Sequence, residues 1–276
     1  MKEVNNFSVL LSVYNGENPD FLKESLTSIV KQSKQANQIV IVKDGELNEK
    51  LEMVIEDFVR DYRNILVVGY PNNQGLGRAL SYGLDFVDNE IVIRCDSDDI
   101  NRLNRFEKLT DFLIQNELDL VSCHVEEFEF VPLDLGRIRK VPVGEYIGSS
   151  MYYRNPLNHM AVAFRKSAAI SCGGYRDMKG FEDYYLWLRF LTKDFKVNNL
   201  DEVLVDARVG NDMIGRRIGL GYVKSELNFQ LAIYHELHHN FFLLIRNLLL
   251  RCAPRLLPKR VLAFIYLKNL RIEKGN

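Results

Sequence analysis

The sequence predicts an α/β protein built on a mainly parallel central sheet with helices on both of its faces. Short apolar runs rich in β-branched residues alternate with segments of helical periodicity between residues 7 and 123. Such alternation is the pattern of βαβ units, which place successive strands parallel within one sheet. The length of 276 residues suffices for one large domain or two small ones with a sizeable core.

The spacing of the apolar residues predicts each element of the first half in turn. Strands are predicted at residues 7–13, 39–42, 65–69, 91–95 and 118–123, where apolar residues are consecutive or alternate. Helices are predicted at residues 20–32, 49–62, 75–87 and 101–116, where apolar residues recur every three or four positions. Such sheets bind ligands beyond the carboxyl ends of their strands. The residues that follow each strand are therefore the first candidates for a site.

The pattern changes after residue 124. Residues 125–144 predict an extended ribbon interrupted by prolines and glycines, and residues 155–170 predict a strand that leads into a short helix. Residues 180–194 predict a helix with two acids near its start. From residue 219 onward the pattern is mostly helical, although two prolines break it.

Charge is distributed unevenly along the chain. The formal net charge is −1, yet residues 241–276 carry +7 and the first 240 residues carry −8. The overall balance is not that of a nucleic-acid-binding protein, so we expect no nucleic-acid partner. The basic tail alternates apolar clusters with arginines and lysines, which predicts amphipathic helices that lie on an anionic membrane surface. Helices packed on the rest of the protein, or a contact within a homodimer, are the alternatives.

The cysteines and the N-terminal region indicate the compartment. Cys95, Cys123, Cys172 and Cys252 lie far apart and form no CxxC pair. We therefore expect neither a disulfide framework nor a zinc site, and we predict a reducing cytoplasm. Residues 7–13 predict a strand and not the apolar core of a signal peptide. Because no run of 18 uncharged apolar residues occurs, we expect no transmembrane helix.

Acidic residues follow two of the predicted strands. Asp44 follows the second strand, and Asp96, Asp98 and Asp99 follow the fourth. Three carboxylates within four positions repel one another unless a cation or a hydrogen-bond network neutralises them. A polar turn in which one aspartate caps the next helix is the alternative. The shared location at one rim of the sheet favours a ligand site.

Six short motifs give the sequence a resemblance to glycosyltransferase family 2, the inverting nucleotide-sugar transferases, from about residue 7 to residue 220. The motifs are SVYNGE (12–17), VKDGE (42–46), NNQGLGRALSYGL (72–84), RCDSDD (94–99), NPLNH (155–159) and FEDYYLWLR (181–189). Their combination is most similar to the bacterial branch that builds capsule, exopolysaccharide and O-antigen repeat units.

The resemblance implies a GT-A fold for residues 1–220. Its nucleotide-binding half would span about residues 1–124 and its acceptor half about residues 125–220. A basic helical extension would follow at residues 221–276.

The resemblance also implies that the aspartates form the Asp-X-Asp element, which holds a divalent metal on the diphosphate of the donor. Residues two apart on an extended segment point the same way, so Asp96 and Asp98 can face one ligand. Carboxylate oxygens suit Mn²⁺ or Mg²⁺. We assign Asp98 as the direct metal ligand and Asp96 to the ribose or a metal-bound water. Asp99 is expected to point the other way, as a turn or cap residue.

Further donor contacts are implied around the first two strands. Val13 and Tyr14 would lie near the base, and the Asp44 carboxylate would accept a hydrogen bond from the uracil imide. Many relatives carry two successive acids at this point, whereas this chain has Lys43 before Asp44. An ordinary Asp-Gly turn, closed by Asp44 and Gly45, is the alternative.

Two more residues are candidates for the donor site. Arg78, in a glycine-rich turn that opens a helix, can reach a phosphate or a sugar, or lie solvated at the surface. His159, which completes the NPLNH motif, either binds the sugar nucleotide or is structural. The glycines of this turn do not complete a dinucleotide fingerprint.

The FEDYYLWLR motif supplies the candidate catalytic base. An inverting transfer needs a carboxylate that takes the proton of the acceptor hydroxyl. Glu182 and Asp183 stand at the start of a predicted helix, where the helix dipole favours an ionised acid. The family pattern assigns the base to Asp183 and leaves Glu182 to orient substrate or hold the loop. The alternative is that both acids only complement the dipole.

We therefore predict a metal-dependent enzyme that transfers a hexose, glucose or galactose, from a UDP-sugar to a sugar on a lipid diphosphate. It would work in the cytoplasm, peripherally on the inner face of the membrane. A sugar-phosphate nucleotidyltransferase and a non-catalytic UDP-sugar-binding relative are the alternatives.

Two more stretches of the sequence, rich in histidine or arginine, lie outside the six motifs. HELHH (235–239) is expected to be a solvated helix face and not a metal site. RVGNDMIGRR (208–217) resembles a loop that can close on the diphosphate in relatives.

Overall fold

Strands of the first half form a parallel sheet in the order β3–β2–β1–β4. They are β1 (Phe7–Tyr14), β2 (Gln38–Asp44), β3 (Ile65–Tyr70) and β4 (Ile91–Arg94). The computed structural model describes residues 6–210, 219–237, 240–255 and 272–273. Strand order reverses between β1 and β4, because β2 and β3 lie on one side of β1 and β4 lies on the other. Open α/β sheets bind ligands at such a switch point.

The second half extends the same sheet with mixed strand directions. β8 lies antiparallel between β4 and β6, and a long strand, β9, runs parallel to β6. These strands are β5 (Ile100–Asn101), β6 (Leu120–Phe128), β7 (Arg137–Arg139), β8 (Ala163–Arg165), β9 (Val197–Arg208) and β10 (Ile272–Glu273). β5 pairs with β9, which places the end of β9 beside the segment that follows β4.

Helices cover both faces of the sheet. α1, α2 and α4 pack on one face, and α3, α6 and α7 pack on the other. The helices are α1 (Pro19–Val30), α2 (Glu49–Asp61), α3 (Leu76–Asp85), α4 (Arg105–Gln115), α5 (Tyr146–Ser150), α6 (Lys166–Ser171), α7 (Glu182–Thr192), α8 (Leu220–Glu236) and α9 (Phe241–Arg255). A short 3₁₀ turn, His159–Ala161, precedes β8.

The two apolar layers explain why the central strands carry apolar residues at consecutive positions. In β1, Val9 and Leu11 point to the α1 side, whereas Leu10 points to the α3 side. All three side chains are fully buried. A strand covered by helices on both faces is apolar at most positions, because both of its faces are buried. The continuous run that predicted this strand is thus a direct consequence of the two layers.

A third apolar cluster joins the C-terminal helices to α7. Phe181, Tyr184 and Tyr185 at the start of α7 pack against Phe229 of α8. The rings of Phe181 and Phe229 are stacked, with centroids 4.6 Å apart. Aromatic pairs of this kind contribute beyond the area that they bury. The start of α7 is therefore fixed from the side of the C-terminal helices.

Most predicted elements of the first half are confirmed to within a few residues. The strand predicted at 118–123 is longer, because it continues through Glu126 and Glu127, both of which are buried. β9 was not predicted, since its sequence VNNLDEVLVDAR carries polar residues at many positions. Its pairing with β6 along nine registered positions makes it a strand.

The chain returns to the sheet after α9, because Ile272 and Glu273 pair antiparallel with β7. Within the described ranges, no helix combines the length and the apolar character needed to cross a membrane. The division into two halves at about residue 124 and an extension after residue 220 stays a prediction.

Candidate active site

The candidate site lies at the carboxyl ends of the parallel strands. Tyr14 at the end of β1 is in register with Asp44 at the end of β2, and Asp44 is in register with Tyr70 at the end of β3. Asp96 comes two residues after the end of β4, which is the neighbour of β1 on the other side. The predicted rim of polar side chains is therefore present at the switch point of the sheet.

Three aspartates gather in the turn after β4. One carboxylate oxygen from each of Asp96, Asp98 and Asp99 lies within 4.8 Å of the others. Asp96 and Asp98 are half-buried and Asp99 is buried. The expectation that Asp99 points away is wrong. β4 ends at Arg94, and the turn that follows does not keep the two-residue alternation of a strand.

Proximity and burial disfavour the charged forms of two of these acids. Burial, with the carboxylates of Asp96 and Glu17 nearby, raises the pKa of Asp98 to about 7. Burial, with Asp98 and Asp96 nearby, raises the pKa of Asp99 well above its usual range. Among the described residues, Asp99 Oδ2 is buried and accepts no hydrogen bond. The turn thus concentrates oxygen ligands that its own hydrogen bonds do not fully satisfy.

Several contacts hold the acidic turn in place. The buried guanidinium of Arg94, the last residue of β4, forms an ion pair with Asp96. Ser25 Oγ of α1 donates to the Asp96 carbonyl oxygen over 2.7 Å, and Ser97 Oγ donates to Glu17 Oε2 over 2.6 Å. Side chains from three different segments therefore fix the backbone that presents the carboxylates.

Arg208, the last residue of β9, holds the same turn from the other side. Its backbone N–H donates to Asp99 Oδ1 over 2.8 Å, and its Nε donates to the Asp98 carbonyl oxygen over 3.1 Å. Its guanidinium lies 3.8 Å from the ring centroid of Phe21 and 4.4 Å from that of Phe128. Cation–π contacts on two rings favour one arginine position. Asp99 therefore anchors the end of β9 and does not cap α4.

The residues of this turn fit a divalent cation. Mn²⁺ and Mg²⁺ prefer hard oxygen ligands such as carboxylates. Both ions also bind phosphate and water. Asp96, Asp98 and Asp99 offer three such groups, and the unsatisfied Oδ2 of Asp99 is one of them. A cation would remove the mutual repulsion that burial intensifies. Asp98 and Asp96, the predicted ligands, both belong to this group.

Asp44 is engaged differently, within the turn at residues 70–75. Its Oδ1 accepts hydrogen bonds from the Tyr70 hydroxyl (2.9 Å) and the Gln74 N–H (2.7 Å). Its Oδ2 accepts from Asn73 Nδ2 and the Gly75 N–H, both at 3.0 Å. The side chain is buried, and its carboxylate braces the turn that opens α3. The contact with uracil stays a prediction, and it would require one of these bonds to be exchanged.

The other predicted base and phosphate contacts lie around this rim. Val13 is buried in β1, whereas the Tyr14 side chain is 46% exposed. A Cβ at Gly16 would lie 2.5 Å from Tyr14 Cε2, so glycine at this position lets the ring fold over the turn. Arg78 is exposed in the first turn of α3, a position compatible with either of its two predicted roles. An exposed Tyr14 ring suits a stacking contact.

The first turn of α7 presents Asp183 beside the NPLNH motif. Asn155 Nδ2 donates to Asp183 Oδ2 over 2.7 Å. Asp183 is half-buried and lies in the first turn of a helix, where the dipole favours a negative charge. Asn155 was not predicted, because the motif drew attention to its histidine. Its position in the same motif was the available signal.

Glu182 turns away from this contact. Its carboxylate accepts hydrogen bonds from its own backbone N–H and that of Gly180, while burial raises its pKa. A Cβ at Gly77 would lie 2.5 Å from Glu182 Cγ, so α3 and α7 approach closely at this point. The arrangement agrees with a role for Glu182 in holding the start of α7, and it points Asp183 elsewhere.

His159 is half-buried and lies against the buried side chains of Tyr175 and Trp187. Its Nε2 lies 3.2 Å from the Tyr175 hydroxyl, and its ring packs against Trp187. Burial and the nearby Arg94 guanidinium lower the pKa of His159 well below its usual range, which keeps the ring neutral. Burial raises the pKa of Tyr175, and the carboxylates of Asp183 and Asp96 raise it further. Tyr175 thus lies near both acids.

The HELHH and RVGNDMIGRR stretches lie partly outside the described residues. His235 is exposed on α8, as expected for a solvated helix face, and residues 238–239 of HELHH are outside the described ranges. Residues 211–218 of the RVGNDMIGRR stretch are also outside them. In the part of the chain that is described, the aspartates of the β4 turn are the group of acids, histidines and cysteines suited to a metal.

The chain is similar to known glycosyltransferases. Residues 8–178 match the family model described as Glycosyl transferase family 2. The UDP-Gal:alpha-D-GlcNAc-diphosphoundecaprenol beta-1,3-galactosyltransferase of Escherichia coli is 40% identical over 266 residues, which are 96% of each chain. This similarity spans both halves of the predicted domain and most of the C-terminal region.

Solved structures share the fold. The structure of S. aureus TarS 1-349 in complex with UDP-GlcNAc superimposes with a TM-score of 0.66 at 18% identity, covering 91% of this chain and 72% of that one. The mannosyltransferase PcManGT from Pyrobaculum calidifontis, in complex with GDP-Man and Mn²⁺, gives a TM-score of 0.61 at 17% identity, covering 94% and 79%. The predicted GT-A type of α/β fold is confirmed.

Proposed function

The chain belongs to glycosyl transferase family 2, and on that basis we propose that it moves galactose from UDP-galactose to a sugar on a lipid diphosphate. The observation that carries this proposal is the 40% identity, over 96% of both chains, with the Escherichia coli galactosyltransferase. That enzyme uses UDP-Gal and a GlcNAc-diphosphoundecaprenol acceptor, as its name states. The product would serve the synthesis of a bacterial surface polysaccharide.

The donor would lie at the strand ends, with its diphosphate on the acidic turn. Asp98 would coordinate Mn²⁺ or Mg²⁺ directly, and Asp96 would contact the ribose or a water on the ion. When bound, the ion supplies a Lewis acid that offsets the charge on the departing diphosphate. Support comes from the three clustered carboxylates and from PcManGT, whose solved structure contains Mn²⁺.

Nucleotide contacts would come from the neighbouring strand ends. Tyr14 would stack on the base from its exposed position at the end of β1. Arg78, at the opening of α3, would reach the phosphates or the sugar. TarS, which shares the fold, has been solved with UDP-GlcNAc. A UDP-sugar is therefore the donor class that we propose.

Asp183 would act as the base of an inverting reaction. Its carboxylate would take the proton of the acceptor hydroxyl as that oxygen attacks the anomeric carbon on the face opposite the diphosphate. Asn155 would orient the carboxylate through the 2.7 Å hydrogen bond. The ionised form that a base requires is favoured by the helix N-terminus. Glu182, which binds its own backbone, would position the helix.

The acceptor defines where the enzyme works. A sugar on a lipid diphosphate is held at a membrane surface, so we propose that the enzyme acts in the cytoplasm, peripherally on the inner face of the membrane. The basic C-terminal region supplies positive charge that an anionic surface attracts.

Transfer assays test the proposal. The purified protein is incubated with Mn²⁺, a synthetic GlcNAc-diphosphate-lipid and each of UDP-galactose, UDP-glucose and UDP-GlcNAc in turn. We expect transfer from UDP-galactose and a product whose anomeric configuration, measured by NMR, is opposite to that of the donor. Transfer from another UDP-sugar alone would contradict the donor assignment. Release of pyrophosphate from UTP and a sugar phosphate would instead indicate a nucleotidyltransferase.

A further inference from the structure

Helix α9 is fixed to α8 by a buried ion pair, and the same arginine lies beside aromatic rings at the start of α7. Arg251 Nε of α9 lies 2.6 Å from Glu226 Oε1 of α8, and the Glu226 side chain is fully buried. The Arg251 guanidinium lies 5.5 to 5.9 Å from the ring centroids of Phe181, Tyr184 and Phe229. Breaking a buried pair leaves an uncompensated charge, which is strongly unfavourable. The inner face of α9 is therefore locked to the residues on either side of Asp183.

A second contact fixes the first half of α9. Asn247 is buried, and its Nδ2 donates to the carbonyl oxygen of Tyr152 over 2.9 Å. Arg246 reaches over the ring of the next residue, Tyr153, at 4.4 Å from the ring centroid. Helix α9 is therefore held at two points along its length, by α8 and by the segment at Tyr152.

The outer face of α9 exposes large apolar side chains. Phe242 is 81% exposed and Leu249 is 66% exposed, and a spacing of seven residues places them on one side of the helix. The exposed apolar residues of this outer face are Phe241, Phe242, Ile245, Leu249 and Leu250. Scattered apolar residues are ordinary at a surface, but a contiguous apolar face marks a contact with a partner or a membrane.

The charge of residues 241–271 indicates what binds the outer face of α9. Arg246 is exposed beside the outer face, and residues 241–271 contain seven arginines and lysines and no acid. The first 240 residues carry a net −8, so the excess of basic over acidic residues lies at this end of the chain. Apolar side chains beside basic ones are the composition of helices that lie in the interface of an anionic bilayer. A second copy of the chain would bring two faces of like charge together.

We propose that the outer face of α9 docks on an anionic lipid bilayer and thereby sets the orientation of the active site at the membrane. The apolar side chains would enter the interface, and Arg246 would contact lipid phosphates. Because α9 is paired with α8 and its Arg251 lies against the rings of Phe181 and Tyr184 on either side of Asp183, docking would hold Asp183 at a constant distance and angle from the bilayer. The orienting role rests on the proposed function, since it needs a lipid-linked acceptor. The docking itself does not.

Vesicle flotation with matched variants tests the docking. The full-length protein is mixed with vesicles of phosphatidylcholine alone or of phosphatidylcholine and phosphatidylglycerol in equal parts. Leu249→Glu removes an apolar contact and adds a negative charge, so we expect bound protein to fall about tenfold or more on the anionic vesicles. Met53→Glu is the control, because Met53 is 63% exposed on α2, and we expect it to float like the unchanged protein. The unchanged protein should not float with phosphatidylcholine alone.

Three results would overturn the docking. They are no flotation of the unchanged protein, equal flotation of Leu249→Glu, and a dimer, seen by light scattering, that Leu249→Glu dissociates without any change in flotation. The last result would assign the outer face to a second copy of the chain. Melting curves for both variants exclude misfolding as the cause of a lost interaction.

Two acceptors separate the docking from the proposed function. With a short-chain, water-soluble sugar-diphosphate acceptor, Leu249→Glu should transfer galactose at the unchanged rate. With the lipid-linked acceptor in anionic vesicles, its rate should fall about tenfold, in parallel with flotation. If Leu249→Glu transferred galactose at the rate of the unchanged protein to both acceptors, the orienting role would be overturned. Absence of transfer to either acceptor by the unchanged protein would refute the proposed function, while flotation would still report on docking.

Discussion

Two acidic sites stand at the same rim of the sheet, one after β2 and one after β4, and their hydrogen bonding differs. The Asp44 carboxylate accepts four hydrogen bonds from neutral donors of the turn at residues 70–75. In the turn after β4, Asp98 and Asp99 lie close to each other and to Asp96, and Asp99 Oδ2 is buried without a hydrogen bond. The hydrogen bonds of the first site satisfy its carboxylate, whereas the second site has clustered carboxylates whose repulsion a cation would offset.

This comparison shows that the hydrogen-bond donors around a carboxylate determine its role. A fully hydrogen-bonded carboxylate braces the backbone, whereas clustered and partly unsatisfied carboxylates gain from binding an ion. The same distinction recurs at the start of α7. Glu182 binds the N–H groups of its own turn, while Asp183 is held by the Asn155 amide at the edge of the site.

Replacing a metal ligand should have the largest effect. Asp98→Asn keeps the size of the side chain but weakens the hold on the cation, so transfer should fall about 10³-fold, equivalent to several kcal/mol of transition-state stabilisation. Removing Mn²⁺ and Mg²⁺ with EDTA should have a similar effect on the unchanged enzyme. The assay is single-turnover transfer from UDP-galactose. Full activity in excess EDTA would refute the metal dependence.

Replacing the base should be nearly as damaging but should spare the donor site. Asp183→Asn should lower kcat by roughly 10²-fold or more, the usual scale for a lost general base. UDP binding, measured by calorimetry, should be unchanged, because Asp183 lies on α7 and the proposed nucleotide contacts lie at the strand ends. Asn155→Ala should give a smaller loss in kcat. Normal turnover of Asp183→Asn together with an inactive Glu182→Gln would shift the base by one residue.

Asp44 should matter for folding more than for chemistry. Asp44→Ala leaves the Tyr70 hydroxyl and the backbone N–H groups of Gln74 and Gly75 without their acceptor, and it leaves the Asn73 amide only its bond to the backbone carbonyl oxygen of residue 44. The free energy of unfolding should fall by about 2–4 kcal/mol, since each unpaired group costs on the order of 1 kcal/mol or more. Denaturant unfolding followed by circular dichroism measures the loss. Unchanged stability with weakened UDP binding would favour the predicted contact with uracil.

The acidic turn should couple metal binding to pH. The pKa of Asp98 is raised to about 7, so below that value the folded protein holds a proton that the cation must displace. Mn²⁺ affinity should therefore rise by up to about tenfold per pH unit as the pH approaches 7 from below, and then level off. Without metal, the raised pKa should make the folded state less stable as the pH rises through the range from about 4 to 7. Calorimetry and melting curves across this range test both statements, with Asp98→Asn as the control.

The smallest effect is expected where Glu182 packs on α3. Gly77→Ala would place a Cβ 2.5 Å from Glu182 Cγ, so one of the two helices must shift. Overpacking of this kind costs about 1–3 kcal/mol of stability. The control is Gly148→Ala, since a Cβ at that position meets no atom within 4 Å. Equal melting temperatures for the two variants would show that the close approach is not important.

The sequence was sufficient for the parallel half of the sheet and for the location of the candidate site at its strand ends. Runs of consecutive apolar residues, such as the one in β1, occur because helices cover both faces of the strand. These runs made the strands recognisable in the sequence. β9 was not predicted, because its sequence alternates irregularly between polar and apolar residues. Its pairing with β6 makes it a strand. Motif order identified the family, and the same short, local motifs made Asp98 and Asp183 candidates whose roles stay predictions.

The finer details of the site needed the fold. Asp99 was expected to point away because the alternation of a strand was extended past Arg94, where β4 ends. The sequence around Asp44 does not reveal its four donors, three of which lie on the distant turn at residues 73–75. The contact between Asn155 and Asp183 joins two motifs that are 28 residues apart. Such contacts depend on tertiary packing that no local pattern encodes.

Binding of Mn²⁺ in the presence of UDP, followed by electron paramagnetic resonance, tests the difference between the two acidic sites most directly. The unchanged protein and Asp44→Asn should both bind the ion, because Asp44 is satisfied by the turn that it braces. Asp98→Asn should bind it at least about tenfold more weakly while remaining folded, since it lacks a charged ligand. Equal Mn²⁺ binding by Asp98→Asn and the unchanged protein would contradict the account, as would loss of binding in a folded Asp44→Asn.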